Sequence, residues 1–168
     1  EMFRYWLQGG RIDVGFLGTA QLDRYANINT TVSGDYAQPK VRLPGGGGAP
    51  ETATSAKEIF ITVRHSRRVF VEKMDFITSM GHGDGSPRDT RGGMVGRGPT
   101  RVITDLCVLE PAPETRELVV TALHPGTTRE QVQEQTGWPI RFAGQLATTE
   151  PPPRDEPDLL RAPPAPPR

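Results

Sequence analysis

The sequence holds one cysteine, no net charge and no long apolar run, and each scarcity removes a class of protein. Cys107 alone cannot close an internal disulfide. Its place in the strand-like run Val102-Ile103-Thr104-Asp105-Leu106-Cys107-Val108-Leu109 marks it as buried, and a reducing, cytoplasmic setting is expected. Twenty Lys and Arg offset twenty Asp and Glu, so no global field holds nucleic acid or an anionic membrane. Any anionic ligand must be gripped locally. No apolar stretch approaches the ~18 residues of a membrane span, and Glu1-Met2-Phe3-Arg4-Tyr5-Trp6-Leu7 lacks the basic-then-apolar order of an export signal. Repeats are absent too. His65, His82, His124 and Cys107 show no metal-ligand spacing, so no metal is expected and the histidines read as polar surface or loop residues. The chain has no G-x-S-x-G elbow, Walker loop or dinucleotide fingerprint.

What is present suffices for one domain. The 35% apolar content and nineteen glycines of this 168-residue chain together come near the roughly 45–50% usual for globular proteins. The feature that stands out is Pro44-Gly45-Gly46-Gly47-Gly48-Ala49-Pro50, four glycines between two prolines, followed by a predicted helix over Glu51 to Glu58. Such a run can take positive φ and admit a ligand against the backbone, and amides at a helix start attract anions. Glycine runs also serve as linkers. This one is short, fixed at both ends and set between apolar strand-like stretches, which predicts an ordered loop at a strand-to-helix junction.

Around that loop, Met2 to Gln8 places Phe3, Trp6 and Leu7 at helical spacing, and Gly9-Gly10 ends the turn. Arg11 to Ala20 reads as a buried strand that something approaches closely at Gly15 and Gly18. A polar turn bracketed by Asn27 and Asn29 leads into the alternation Ile28, Thr30, Val32, and either asparagine can serve turn formation or ligand contact. Ser33 to Leu43 reads as a polar connector. Ile59 to Val63 is a strand, Val69-Phe70-Val71 is β-like, and the basic cluster Arg64-His65-Ser66-Arg67-Arg68 between them suits a solvated turn or contact with phosphate. A glycine-rich loop carrying Arg88, Arg91 and Arg97 runs from Gly81 to about Pro99. Thr100 to Leu109 and Glu117 to Leu123 then pair as an antiparallel hairpin. Thr127 or Thr128 caps a helix with Glu130 or Gln131 three residues on, Gly137 stops it, and Trp138 to Phe142 is a last short strand. Eight of the seventeen prolines fall between Pro151 and Pro167. The expected organisation is therefore a domain over residues 1–147 and an extended proline-rich tail over 148–168.

Taken in order, these motifs are more specific than any one alone. Phe16 to Thr31, Gly34-Asp35-Tyr36, Pro39-Lys40-Val41-Arg42, Gly45 to Ala49, Arg67 to Phe76, Gly81 to Gly85, Val102 to Leu109 and His124-Pro125-Gly126 through Trp138 resemble the β subunit of family I CoA-transferases, of the glutaconate and 3-oxoadipate type. The resemblance implies an α/β fold, a mixed sheet with flanking helices. It implies a reaction in which a glutamate carboxylate forms a glutamyl-CoA thioester and passes CoA to a dicarboxylic or 3-oxo acid. CoA would be a substrate with no cofactor bound permanently, and the partner an α subunit in a heteromer. The family's G-x-G-G-A loop at the active site maps to Gly45, Gly47, Gly48 and Ala49, and its Asn-x-Asn turn to Asn27 and Asn29. Ala26 stands where relatives often have Gly. No E-x-G-type motif for the catalytic glutamate occurs in the chain. That carboxylate is expected upstream of Glu1, in a piece this chain lacks, and the chain by itself is expected to be inactive. Glu51 follows the loop, but the resemblance places an ordinary helix residue there. Whether Arg67, Arg68 or Lys73 meets CoA phosphates is left open. Two alternatives accompany this reading: a related hydrolase of CoA-linked ring compounds, and a noncatalytic partner subunit.

Overall fold

The computed structural model describes residues 2–86, 96–151 and 153. The loop expectation at Arg88 and Arg91 and the expected tail past Pro153 lie outside the described residues. Along the chain run β1 (Val14–Leu17), β2 (Gln21–Leu22), β3 (Ile28–Asn29), β4 (Val32–Gly34) and β5 (Pro39–Arg42), then α1 (Ala49–Ser55) and β6 (Glu58–Thr62). There follow β7 (Pro99–Ile103), β8 (Cys107–Pro111), β9 (Leu118–Leu123), α2 (Arg129–Glu134) and β10 (Arg141–Thr148). Six of these strands form one mixed sheet in the order β1-β6-β7-β8-β9-β10. Its pairings are parallel for β1/β6, β6/β7 and β9/β10 and antiparallel for β7/β8 and β8/β9.

Period-two alternation decides which way this sheet faces. Ile59, Ile61, Val102, Cys107, Leu109, Leu118 and Val120 are buried on one side, where they meet Leu22, Ile28, Ala56 and Phe70 in a single core. Each fully buried aliphatic side chain contributes about 1.5–3 kcal/mol. The short pairs β2/β3 and β4/β5, both antiparallel, carry the Asn27–Asn29 bend and lead the chain into the glycine loop. α1 packs back on the sheet so closely that a Cβ on Gly15 would come within 2.6 Å of Thr52 Cγ2 and 2.9 Å of Ile59 Cδ1. α2 has the full capping box: Thr128 accepts from the Gln131 N–H, and the Gln131 side chain accepts from the Thr128 N–H.

Several expectations change in detail. The first turn, Met2–Leu7, is a π-helix that buries Leu7, leaves Trp6 half-exposed and lays the half-exposed Phe3 ring on the loop, where a Cβ on Gly48 would meet it at 2.5 Å. Only four residues of the stretch Arg11 to Ala20 are strand, and Phe16 within them is 65% exposed. Gly18, unlike Gly15, has nothing closer than 3.9 Å where a Cβ would stand. The stretch Ser33 to Leu43, expected as a connector, contains β5 and most of a hairpin, turned by Asp35, whose Oδ1 accepts from the Ala37 and Gln38 N–H groups. Thr100 to Leu109 is two strands, since the Thr104 hydroxyl accepts from the Leu106 and Cys107 N–H groups and reverses the chain. The last strand is β10, longer and later than Trp138 to Phe142, and Trp138 and Ile140 go into the core ahead of it.

Candidate functional site

The Asn27–Asn29 bend is built from buried side-chain amides. Asp23 starts it: its Oδ1 accepts from the Tyr25 and Asn27 N–H groups and its Oδ2 from Asn27 Nδ2 at 2.8 Å. Burial pushes the Asp23 carboxyl above its ordinary value, and the bonds from Asn27 and Tyr25 and the charge of Arg24 partly offset that push. Asn27 Nδ2 also donates to Gly83 O, while its Oδ1 accepts from the Gly81 and Gly83 N–H groups. Asn29 is used as fully, donating to Gln21 Oε1 and Val32 O and accepting from the Thr31 and Val32 N–H groups. Just before Asn27 the chain needs a left-handed residue, and Ala26 supplies it at φ 58°. A Cβ there costs about 1–2 kcal/mol, so the bend keeps its geometry without the glycine.

The glycine loop is tied to this bend rather than free in solvent. The Gly45 N–H donates to Thr30 O at 2.8 Å, and the Thr30 hydroxyl donates back to Gly45 O at 2.8 Å. Leu43 N–H donates to Thr31 O, and Thr78 completes the seam, its Oγ1 accepting from the Thr30 N–H and meeting the Thr31 hydroxyl. Thr78 belongs to a stretch with no motif of its own, yet it backs the loop: a Cβ on Gly46 would stand 3.2 Å from its Cγ2. Gly45 and Gly47 take positive φ, 96° and 50°, with open space where a Cβ would stand. The Ala49 N–H turns inward to Gly46 O. The N–H groups of Gly46, Gly47 and Gly48 have no acceptor among the described residues. The structure thus ties the loop named from the sequence to Thr30 and Thr31, directly after Asn29, while the asparagine side chains bond elsewhere. It spends the Gly45 and Ala49 amides on the scaffold and adds Gly46, which the motif pattern leaves unspecified. α1 is only seven residues long, so the loop's own amides are the donors that matter.

Unspent, fixed amides of this kind suit an oxygen that gains charge during acyl transfer. The family model for Coenzyme A transferase matches residues 1–135. The chain belongs to that family. This CoA-transferase family chain is 61% identical to the β subunit of the 3-oxoadipate CoA-transferase of Pseudomonas knackmussii over 96% of its own length and 62% of that protein's. The solved glutaconate coenzyme A-transferase of Acidaminococcus fermentans superposes with a TM-score of 0.83 at 34% identity, covering 94% of this chain and 60% of the other. A cholesterol ring-cleaving hydrolase IpdB subunit of Mycobacterium tuberculosis is 27% identical over 87% of this chain and 58% of its own length. The chain spans about three fifths of the length of the relatives it matches.

The remaining charged candidates make no bond to the loop glycines. Glu51 is exposed in the first turn of α1, and Lys73 and Arg67 are exposed. Arg68 lines a small cavity with Leu43, next to the loop. All three histidines lie in loops, as expected, but His65 and His82 are buried rather than on the surface, and His124 is half-buried. His65 is 6% exposed, stacks on Phe70 at 3.8 Å, and has Thr136 Oγ1 3.0 Å from Nε2 and Cys107 Sγ 3.6 Å from Nδ1. The Thr136 hydroxyl donates to Val132 O, so the network assigns the imidazole proton to Nε2. His82 is buried against Pro99 O, and His124 bridges Thr149 Oγ1 and Thr104 O. Among the described residues no group of three or more His, Cys, Asp or Glu is placed to hold a metal ion. None of the described helices is long and apolar enough to cross a membrane.

Proposed function

We propose that this chain forms part of the β subunit of a CoA-transferase. Together with an α subunit it moves CoA between an acyl-CoA and a dicarboxylic or 3-oxo acid through a glutamyl-CoA thioester. The carboxylate that carries the thioester lies outside residues 1–168, and CoA is substrate rather than resident cofactor. The observation that carries this reading is the row of unspent amides at Gly46, Gly47 and Gly48, held against the Asn27–Asn29 bend by the reciprocal Thr30–Gly45 bonds.

Attack of a carboxylate on a thioester carbonyl puts negative charge on its oxygen. Fixed N–H donors stabilise that charge without reorganising, and one such donor is worth about 10²–10³ in rate. In this proposal Gly47 and Gly48, with Gly46, face the oxyanion. Gly45 and Ala49 hold the loop in shape, and Asn27 and Asn29 act as struts that fix its base. The full-length protein mixed with its α subunit should move labelled CoA between two acids. Borohydride or hydroxylamine should inactivate it only after acyl-CoA is added. Hydrolysis of a CoA-linked ring compound without exchange would identify the hydrolase alternative, and neither reaction would leave a noncatalytic partner subunit.

A further inference from the structure

We propose that the cavity beside Arg68 is the subsite for the remote carboxylate of the acid substrate, an inference that rests on the CoA-transferase reading above. The cavity, about 100 Å³, is lined by Ala20, Gln21, Ser33, Val41, Leu43 and Arg68. It lies between the start of β2 and the β4/β5 hairpin, in which Ser33 and Val41 are paired. Leu43 sets it near the loop: Gly46, the first glycine whose amide is unspent, follows three residues later, and three Cα–Cα steps span at most about 11 Å. A diacid whose reacting carboxyl lies at the Gly46 amide is thus placed to extend its far end toward the cavity.

The lining suits that end. Ala20, Val41 and Leu43 offer apolar walls to a methylene chain, and Arg68 offers a planar cation to a carboxylate. Arg68 has no acidic partner among the described residues, a state it shares with Arg67 and Arg116, and of these three it is Arg68 that lines this cavity. Gln21 is wall rather than ligand: its Oε1 accepts from Asn29 Nδ2 and the Asp75 N–H, and its Nε2 donates to Asp75 Oδ2. Asp75 is the anion nearest this wall, and it is already held by Gln21 and the Gly34 N–H, with Lys40 close enough to favour its charge. The small volume also selects the ligand. Pockets that enclose whole cofactors or drug-sized molecules run to about 300–1,000 Å³, so this one admits the tail of an acid and not the nucleotide of CoA.

The test uses the full-length protein with its α subunit, comparing a dicarboxylic acceptor with a monocarboxylic acid of equal chain length. Arg68 is exposed, so Arg68→Gln should leave the urea midpoint unchanged. The variant should lower kcat/KM for the diacid about 10–100-fold, chiefly through KM, and leave the monocarboxylate rate as it was. Arg68→Lys should recover part of the loss, since lysine keeps the charge without the fork. Equal losses with both acids would place Arg68 on a CoA phosphate and overturn the proposal, as would no loss at all. Calorimetric titration of the diacid into wild type and Arg68→Gln reads the same contrast without turnover. A wild type that binds the diacid through Arg68 yet exchanges no CoA would sink the transferase reading and leave the subsite standing.

Discussion

Among the described residues, the buried polar cluster around Asn27 and Asn29 and the one around His65 end differently. Both side-chain amides of the first and both ring nitrogens of the second have partners. The asparagine cluster opens onto a loop whose Gly46, Gly47 and Gly48 N–H groups have no described acceptor. The histidine cluster closes on Phe70, Thr104 and Thr136, with Cys107 against Nδ1. A buried network that is fully satisfied rigidifies what it touches. The contrast separates a support from the surface it supports: the asparagines make the base firm, and the glycines present the donors.

The largest effect that sharpens this contrast is expected at Asn27. Asn27→Ala would strip partners from Asp23 Oδ2, Gly83 O and the Gly81 and Gly83 N–H groups. A loss of about 3 kcal/mol or more should appear in urea unfolding. Lost CoA exchange with unchanged stability would instead make Asn27 a ligand contact. At His65 the effect is a dependence on pH. Burial holds the imidazole down to about 4 from 6.5, with the charge of Asp105 pulling slightly the other way. The lowered value belongs to the folded state, so the stabilisation is whole above pH 6.5 and drains away as pH falls toward 4. The loss over that window is roughly 3 kcal/mol, and urea midpoints that fall in wild type but hold level in His65→Asn would verify it. Gly47→Ala should do the reverse of Asn27→Ala. Its Cβ meets no protein atom, so stability drops only by about 1 kcal/mol for the left-handed backbone, while exchange falls because the methyl, not a lost N–H, fills the space through which the thioester reaches the amides. A Gly47→Ala enzyme with wild-type exchange would remove the loop from the chemistry.

How much of this was legible depended on whether the signal was local. A capped start to α2, at Thr127 or Thr128, and the ordered glycine loop could be read directly, because each is set by residues a few positions apart, and the structure chose Thr128 with Gln131. The break between β7 and β8 could not, since Thr104-Asp105 sits inside an apolar run and looks like one more pair of strand residues. The Thr104 hydroxyl taking two N–H groups, together with the Thr104 N–H on Cys107 O, turns the chain there. His65 was hidden by its neighbours: three arginines within three positions announce a solvated turn, yet the ring faces Phe70 and Thr136, the latter far away in sequence. Thr78 escaped for the same reason, its contacts with Thr30 and Thr31 spanning more than forty residues. Among the loop glycines, a motif pattern with one unspecified position drew attention away from Gly46, and backbone hydrogen bonding restored it.

The seclusion of Cys107 has a practical outcome. Its thiol is fully covered, pushed up to about 11 chiefly by burial, and is the chain's sole sulfhydryl. An alkylating reagent can reach it only when the sheet parts around β8. The pace at which the sulfur is capped therefore counts openings of the core one by one, and comparing that pace with and without acyl-CoA would show how firmly substrate clamps the protein shut.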